Sequence, residues 1–259
     1  MQELKEEIIP NQTLSKDFLD RLNRQFEVAG PSQVLFWGYH TFGTDMVLGT
    51  GFGPSGMFLI YRLWELGIKI PIFYLDTHLL FDETYELKDR VENRFDLEIT
   101  RVTTGLSLEE QAEKYGEKLW ETNPNRCCHL RKVLPLRNYL SDKKAWITGL
   151  RRSQSEDRSN TQFVEWDPDN KVVKINPLAN WTGKEVWNYI RGKGLPYNPL
   201  HDEGYPSIGC IPCTQAVDSD VDDERAGRWK GLEKTECGIH LSTQKNGNAA
   251  KKNMNGNGQ

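Results

Sequence analysis

The 259 residues are 37% hydrophobic and 27% charged with eight Trp, the composition of an ordinary globular protein and the length of one α/β core with modest extensions. A net charge of −4 excludes a global positive field for nucleic acid or an anionic membrane surface, so any anionic ligand must be met by local groups. Residues 1–10 are acidic without an apolar leader segment, and no stretch approaches the roughly 20 apolar residues of a membrane span, so a cytoplasmic protein is expected.

Leu14, Phe18, Leu22 and Phe26 recur at helical spacing and predict a helix over 13–28; the glycine-broken apolar run 45–50 predicts a buried strand. Pro54 suits the first turn of a helix whose period Met57, Ile60, Tyr61 and Trp64 maintain and which Gly67 is placed to end. A strand over 70–75 ending at Asp76-Thr77, a helix over 85–94, a strand over 98–102 and a helix over 108–115 follow. A strand at 145–148 feeds the loop 149–158, and 162–166 with 172–175 reads as a strand pair across Pro168-Asp169-Asn170. The helix over 182–190, with Thr182 or Trp181 near its cap, closes the regular part.

This alternation predicts a doubly wound, mostly parallel α/β sheet covered on both faces. From about Ile208 the periodicity is lost, an acidic run spans 218–224, and 243–259 is rich in Asn, Gly and Lys, a composition that predicts disorder. The organisation expected is an N-terminal helical extension (1–30), the α/β domain (31–215), a C-terminal arm (216–241) and a disordered tail (242–259). There is no internal repeat.

Gly49-Thr50-Gly51-Phe52-Gly53-Pro54-Ser55-Gly56 follows a predicted strand and opens a predicted helix, so its backbone N–H groups and the helix dipole converge on a point suited to phosphate. Glycines allow close approach, and Thr50 and Ser55 add hydroxyl donors. It matches neither the common P-loop nor the dinucleotide fingerprint, and a ligand-free glycine turn is the alternative. Asp76-Thr77 ends the next strand at the edge where open α/β sheets place ligands, and serves equally as a helix cap.

Three arginines, Arg151, Arg152 and Arg158, fall in the loop after the 145–148 strand. Arg225, Arg228 and Lys230 form a second basic group, and Arg131-Lys132 a third. Guanidinium forks suit phosphate and sulfate oxygens, so these groups point to a multiply charged anion; surface pairing with Asp and Glu is the competing account.

Five cysteines, an odd number, do not read as a secreted disulfide framework. Cys127-Cys128 and Cys210-Ile211-Pro212-Cys213 offer four thiolates in two pairs about 80 residues apart, a set for a 4Fe-4S cluster or an all-cysteine zinc site, with free thiols or a disulfide as the remaining alternatives. Neighbouring helical side chains diverge by about 100°, which is awkward for one small tetrahedral ion and easier for a cluster with several corners. Cys237 stands apart in Lys234-Thr235-Glu236-Cys237-Gly238-Ile239-His240; a mobile, exposed thiol near cations suits a nucleophile, and an incidental surface cysteine is the plainer account.

Taken in order, Leu75-Asp76-Thr77, the stretch from Cys127-Cys128-His129-Leu130-Arg131-Lys132 to Leu136, residues 149–158, Gly209-Cys210-Ile211-Pro212-Cys213-Thr214, Arg225-Ala226-Gly227-Arg228-Trp229 and the segment around Cys237 resemble the phosphoadenylyl-sulfate and adenylyl-sulfate reductase family over about residues 25–240. The resemblance implies an adenine-nucleotide α-hydrolase-like fold related to the ATP pyrophosphatases, with the loop Thr50, Gly51, Phe52, Gly53 and Ser55 cradling the substrate and Asp76 and Thr77 beside it. It assigns Lys132, Arg151, Arg152, Arg225 and Arg228, with Arg158 in the same loop, to the phosphosulfate. It also implies that Cys127, Cys128, Cys210 and Cys213 hold a 4Fe-4S cluster, the mark of members that act mainly on adenylyl sulfate. Two departures stand out: Ile239 replaces the more usual Leu, and the phosphate loop lacks the acidic residue common in the family.

The implied activity is assimilatory reduction of adenylyl sulfate to sulfite and AMP, with Cys237 carrying an S-sulfocysteine intermediate and thioredoxin or glutaredoxin as the reductant. The 3′-phosphorylated nucleotide, or both nucleotides, is the alternative substrate; further alternatives are an adenylating ATP pyrophosphatase and a nucleotide-binding iron–sulfur redox sensor. Neither nucleic acid nor membrane is an expected partner, and a homo-oligomer is compatible with this reading.

Overall fold

The structure, a computed structural model, describes residues 15–218 and 223–240; Leu14 and the tail expected at 242–259 lie outside them. Its sheet is built from β1 (Met46–Thr50), β2 (Ile72–Asp76), β3 (Ile99–Thr103), β4 (Ala145–Ile147), β5 (Val164–Asp167) and β6 (Val172–Ile175), in the spatial order β3-β2-β1-β4-β6-β5. Every neighbouring pair is parallel except β5 and β6, whose antiparallel hairpin closes one edge. The doubly wound, mostly parallel sheet read from the sequence is therefore the observed architecture.

Side-chain alternation explains the two covered faces. Met46, Leu48, Ile72, Tyr74, Ala145 and Ile147 enter one core, which includes Met57, Phe58, Leu59 and Ile60 of α3 (Pro54–Glu65) and Val186 and Ile190 of α9 (Gly183–Gly192). Val47, Phe73 and Trp146 enter the opposite core with Leu136 and Leu140 of α8 (Leu134–Leu140). Each of these three strands thus feeds both layers, which only a sheet sandwiched between helices can satisfy.

The helices follow local chemistry. In α1 (Lys16–Phe26), Ser15 caps the first turn by accepting from the Phe18 N–H, and Phe18, Leu22 and Phe26 are buried. Capping boxes at Ser107 and Thr182 start α5 (Leu108–Tyr115) and α9. The predicted strand 70–75 begins two residues later because Pro71 cannot donate to the ladder, while α4 (Asp82–Phe95) begins earlier than expected, with Asp82 and Glu83 in its first turn.

Two helical regions carry little signal in the sequence. In α2 (Pro31–Phe42) apolar and aromatic side chains occupy most sides of the cylinder, so amphipathic periodicity is weak, although Pro31 sits at its first turn. Between residues 119 and 140 the chain forms α6 (Leu119–Thr122), α7 (Pro124–Cys128), a π-helical turn (His129–Val133) and α8. Pro135 has no N–H for the carbonyl four residues back, and the wider turn before it carries the helix past that gap.

One polar side chain ties α1 to the outer hairpin. Asn23 Nδ2 donates to the Val164 carbonyl and Asn23 Oδ1 accepts from the Val164 N–H, both at 2.9 Å and buried. Asn23→Ala strands both backbone groups of β5, and we expect a loss of about 2 kcal/mol of stability, read from urea unfolding curves.

Candidate active site

β1 and β4 lie side by side, but the chain leaves β1 toward β2 on one flank while β4 is followed on the other flank by β6, so the carboxyl ends of β1 and β4 form a topological switch point. A cavity of about 590 Å³ opens there. Loop 49–56 after β1 and loop 149–158 after β4 form two of its walls, and the arm, residues 223–240, forms a third.

The first loop is held open by its own chemistry. Thr50 Oγ1 accepts from the Phe52 N–H at 3.0 Å, Phe52 takes a left-handed conformation with φ +57°, and its buried ring packs on Tyr74. α3 then begins at Gly53 with no side-chain cap, so its first N–H groups have no capping acceptor and the helix dipole points its positive end at the cavity. A Cβ on Gly149 would lie 2.8 Å from that of Ser55, so the absence of a side chain lets the two loops touch.

Arg151, 4% exposed, crosses this contact: its Nε donates to Ser55 Oγ at 3.1 Å, and its other nitrogens donate to Ser153 and to the carboxylate of Glu224 from the arm. Arg158 gives a bidentate pair to Glu236 at 2.6 and 2.8 Å, and Arg225 donates to the same carboxylate at 3.2 Å. The Arg228 guanidinium stacks 4.6 Å over the Trp229 ring and lies against Gly209, where any side chain would displace it. Cys237, half-buried, lines the cavity with Lys132 and packs against Cys210, Cys213 and Trp229. Beyond it, His240 stacks on Trp146 at 5.2 Å and 14°.

A second, smaller cavity adjoins the first, and Thr77 and Lys132 border both. Cys127 and Cys128 reach it from α7, and Cys210 and Cys213 from the turn at Ile211–Cys213; all four are buried and none is in a disulfide. The turn is pinned by the Ile211 N–H donating to the Leu79 carbonyl at 2.8 Å, and the Thr77 hydroxyl lies 3.2 Å from Cys210 Sγ. Among the described residues no three His, Cys, Asp or Glu side chains are arranged to grip a single metal ion. The four sulfurs instead border one shared space.

The electrostatics of this junction are mutual. Burial pushes the Lys132 ammonium down, but Cys210, Cys237 and Cys128 around it push it further up, above an ordinary lysine. Burial raises the Cys210 thiol, and the opposing influence of Lys132, the Thr77 hydroxyl and Arg228 holds it below an ordinary thiol. Cys127, enclosed by apolar surface and other sulfurs, is pushed up to about 12.

Of the substrate-site residues expected from the sequence, Thr50, Gly51, Phe52, Gly53, Ser55, Thr77, Lys132, Arg151, Arg158, Arg225 and Arg228 line the large cavity with Cys237, and Asp76 and Arg152 do not. Asp76 is fully buried and turned to the sheet side, accepting from Tyr85 Oη and the His78 N–H, both at 2.8 Å, and from Arg101 at 2.5 Å. These bonds tie the end of β2 to α4, to the residue after Thr77 and to β3. Arg152 faces the opposite way, forming a bidentate pair with Glu27 at 2.7 and 3.0 Å and stacking on Phe163. The thiol expected to be exposed is half-buried because the arm lies on the domain. Glu224, Trp146 and His240 also line the cavity without having been singled out, and neither was Glu236; a carboxylate next to an arginine or a cysteine reads as surface charge until its partner is seen.

A switch-point crevice with an uncapped helix start, a ring of cations and a thiol on its wall defines an α/β protein that binds a nucleotide-like anion. The phosphoadenosine phosphosulfate reductase domain matches residues 45–216, and the chain belongs to that family. It is 57% identical over 226 residues to an adenosine 5′-phosphosulfate reductase of Salinibacter ruber, covering 87% of this chain and 90% of that one. It is 47% identical to one of Staphylococcus epidermidis, covering 87% and 93%. The solved phosphoadenylyl-sulfate reductase of Candida auris superimposes with a TM-score of 0.69 at 31% identity, over 80% of this chain and 99% of that one. An FMN adenylyltransferase of Candida glabrata shares the fold alone, at 16% identity and a TM-score of 0.53 over 93% of this chain and 86% of that one.

Burial raises the Asp76 carboxyl, but the His78 N–H, the Tyr85 hydroxyl and Arg101 outweigh it and hold the carboxyl below the usual range. A depressed pKa stabilises the fold above the unfolded value and is lost as pH falls through the folded one. Asp76→Asn should therefore cost roughly 1–3 kcal/mol near pH 7. In urea melts across pH, the gap to wild type should hold down to about pH 5 and narrow only below the ordinary carboxylate value near 4.

Proposed function

We propose that this chain reduces adenylyl sulfate to sulfite and AMP, with Cys237 as the nucleophile. The observation that carries the reading is the place of Cys237: on the wall of the switch-point cavity, beside Lys132 and opposite the uncapped start of α3. The names of the relatives at 47–57% identity support the same substrate.

In the first step the Cys237 thiolate attacks the sulfur of the sulfonyl group. A thiolate–sulfur bond forms, the sulfur–oxygen bond to the phosphate breaks, and AMP leaves with the electron pair, giving an S-sulfocysteine. Loop N–H groups, Ser55, Arg151, Lys132 and Arg228 stabilise charge on the transferring and leaving oxygens. In the second step a thiolate of thioredoxin or glutaredoxin attacks the Cys237 sulfur, sulfite departs, and the partner's second thiol resolves the mixed disulfide, supplying two electrons in all. The arm opens between the steps so that the partner can reach the adduct. The reaction belongs to assimilatory sulfate reduction in the cytoplasm.

Four buried cysteines free of disulfides around one space, with an ammonium beside them, suit a 4Fe-4S cluster held by Cys127, Cys128, Cys210 and Cys213. When bound it supplies a fixed charged body whose field acts on the site through Lys132, since thiol chemistry moves the electrons in pairs without it.

Sulfite release from adenylyl sulfate with reduced thioredoxin should fall roughly a thousandfold or more in Cys237→Ser; undiminished turnover would sink the mechanism. The same assay with the 3′-phosphorylated nucleotide should show the weaker rate. Purified protein should be brown with broad visible absorbance that Cys128→Ser abolishes, and a colourless, zinc-loaded wild type would overturn the cluster assignment.

A further inference from the structure

Glu236 has no task in the proposed chemistry, yet it is the most enclosed carboxylate among the arm's ion pairs, with its side chain 7% exposed. Arg158 and Arg225 converge on it with three hydrogen bonds of 2.6, 2.8 and 3.2 Å. Its neighbour Thr235 is pinned as well: the Thr235 carbonyl accepts from Arg225 at 2.9 Å, and its hydroxyl donates to Asp157 at 2.7 Å. Two consecutive residues immediately before Cys237 are therefore fixed to the loop after β4 and to the start of the arm.

The sign of the charge limits what this arrangement does. A carboxylate one residue from a thiol disfavours the thiolate, and it opposes the approach of an anionic substrate. It also engages two cations that would otherwise meet that substrate. An electrostatic role is therefore of the wrong sign, and a geometric one remains. Attack needs the sulfur within a few tenths of an ångström of its line, and the arm has no regular secondary structure to provide that.

Resting on the function proposed above, we infer that Glu236 is a positioning residue: its fork to Arg158, seconded by Arg225, holds Cys237 against the cavity for the first step and gives way for the second. Arg158 and Arg225 then act on the reaction through Glu236.

The test compares two reactions of one sulfur in the cluster-loaded protein, each followed at Cys237 by peptide mass spectrometry. One is alkylation by iodoacetamide, small and neutral; the other is single-turnover sulfonation by adenylyl sulfate with reductant withheld. In Glu236→Gln, alkylation should quicken several-fold as the arm loosens, while sulfonation slows by up to about a hundredfold. AMP affinity should not weaken. Arg158→Lys, which keeps the charge and loses the fork, should move both rates the same way to a smaller extent, and Glu236→Gln/Arg158→Gln should be no worse than Glu236→Gln alone. If the two rates fall together, rise together or stay put in Glu236→Gln, the positioning role is wrong. If wild type takes up no sulfonate at all, the proposed function fails instead, and the alkylation contrast still reports on the latch.

Discussion

The parallel pairing of β1 with β4 is the constraint on which the rest depends. Met46, Val47 and Leu48 lie opposite Ala145, Trp146 and Ile147, so two strands about a hundred residues apart in sequence end at the same edge, and their following loops emerge side by side. Without a side chain at Gly149 those loops meet, and the meeting places Arg151 on Ser55. The arm then attaches to what the two strands have assembled: Glu224 to Arg151, Glu236 to Arg158, and His240 to Trp146. A shift of β4 against β1 would move the phosphate loop and the arm's anchor points together.

A chain with net charge −4 gathers seven Lys and Arg side chains at one cavity, and the five that sit near Cys237 and the loop after β4 differ in their partners. Arg151, Arg158 and Arg225 are matched by the arm's own carboxylates. Among the described residues Lys132 and Arg228 form no such pair: Arg228 gives its Nε to the Cys213 carbonyl at 3.3 Å and its face to Trp229, and Lys132 stands among sulfurs. Those two cations have no carboxylate partner, so an anion entering the cavity need not displace one to reach them. Arg225 and Arg228, three residues apart in the chain, thus differ: one is tied to the arm's carboxylate, and the other lines the cavity without one.

What the sequence reveals depends on whether a feature is periodic or local. Strands read from apolar runs fall within two residues of their observed starts, and 172–175 coincides with β6, because burial on both faces writes itself as a continuous hydrophobic stretch. The glycine loop and the two cysteine pairs are local signatures and were legible for that reason. The helix α2 was not, since a cylinder apolar on most sides has no preferred face. Nor was the π-helical turn that carries Arg131 and Lys132, where Pro124 and Pro135 bracket the segment and read as breaks. Asp76 and Arg152 show the other limit: their positions beside the crevice are as expected, but side-chain direction is set by Tyr85, Arg101 and Glu27, none of them neighbours in the chain. Arg131 is a similar case, fully enclosed and given over to Gln111, Thr77 and Ser107 at 2.7–3.0 Å, a brace for the wall between the two cavities.

The proposed two-step chemistry asks opposite things of the arm: a sulfur held still for the first step and delivered to another protein for the second. The build of residues 223–240 meets both demands. Neither helix nor strand forms there, and a single isolated bridge, Thr214 to Arg228, ties its backbone to the domain by ladder pairing. Beyond Trp229, whose buried ring marks the fixed end, the contacts to the domain that flank Cys237 are side-chain contacts: an ion-paired carboxylate and the Thr235 hydroxyl on one side, and Ile239 and a stacked imidazole on the other. Such contacts can be broken and remade without unzipping cooperative structure, so the cost of opening is that of a few local interactions. Because Gly238, at φ +91°, follows the sulfur directly, the chain turns there through a conformation that side chains resist, and the two anchors lie on either side of that turn. Releasing the carboxylate alone would leave the sulfur tethered through His240, through Ile239 against the core under β4 and through the Thr235 hydroxyl on Asp157, so opening the arm breaks several small contacts and no single dominant one.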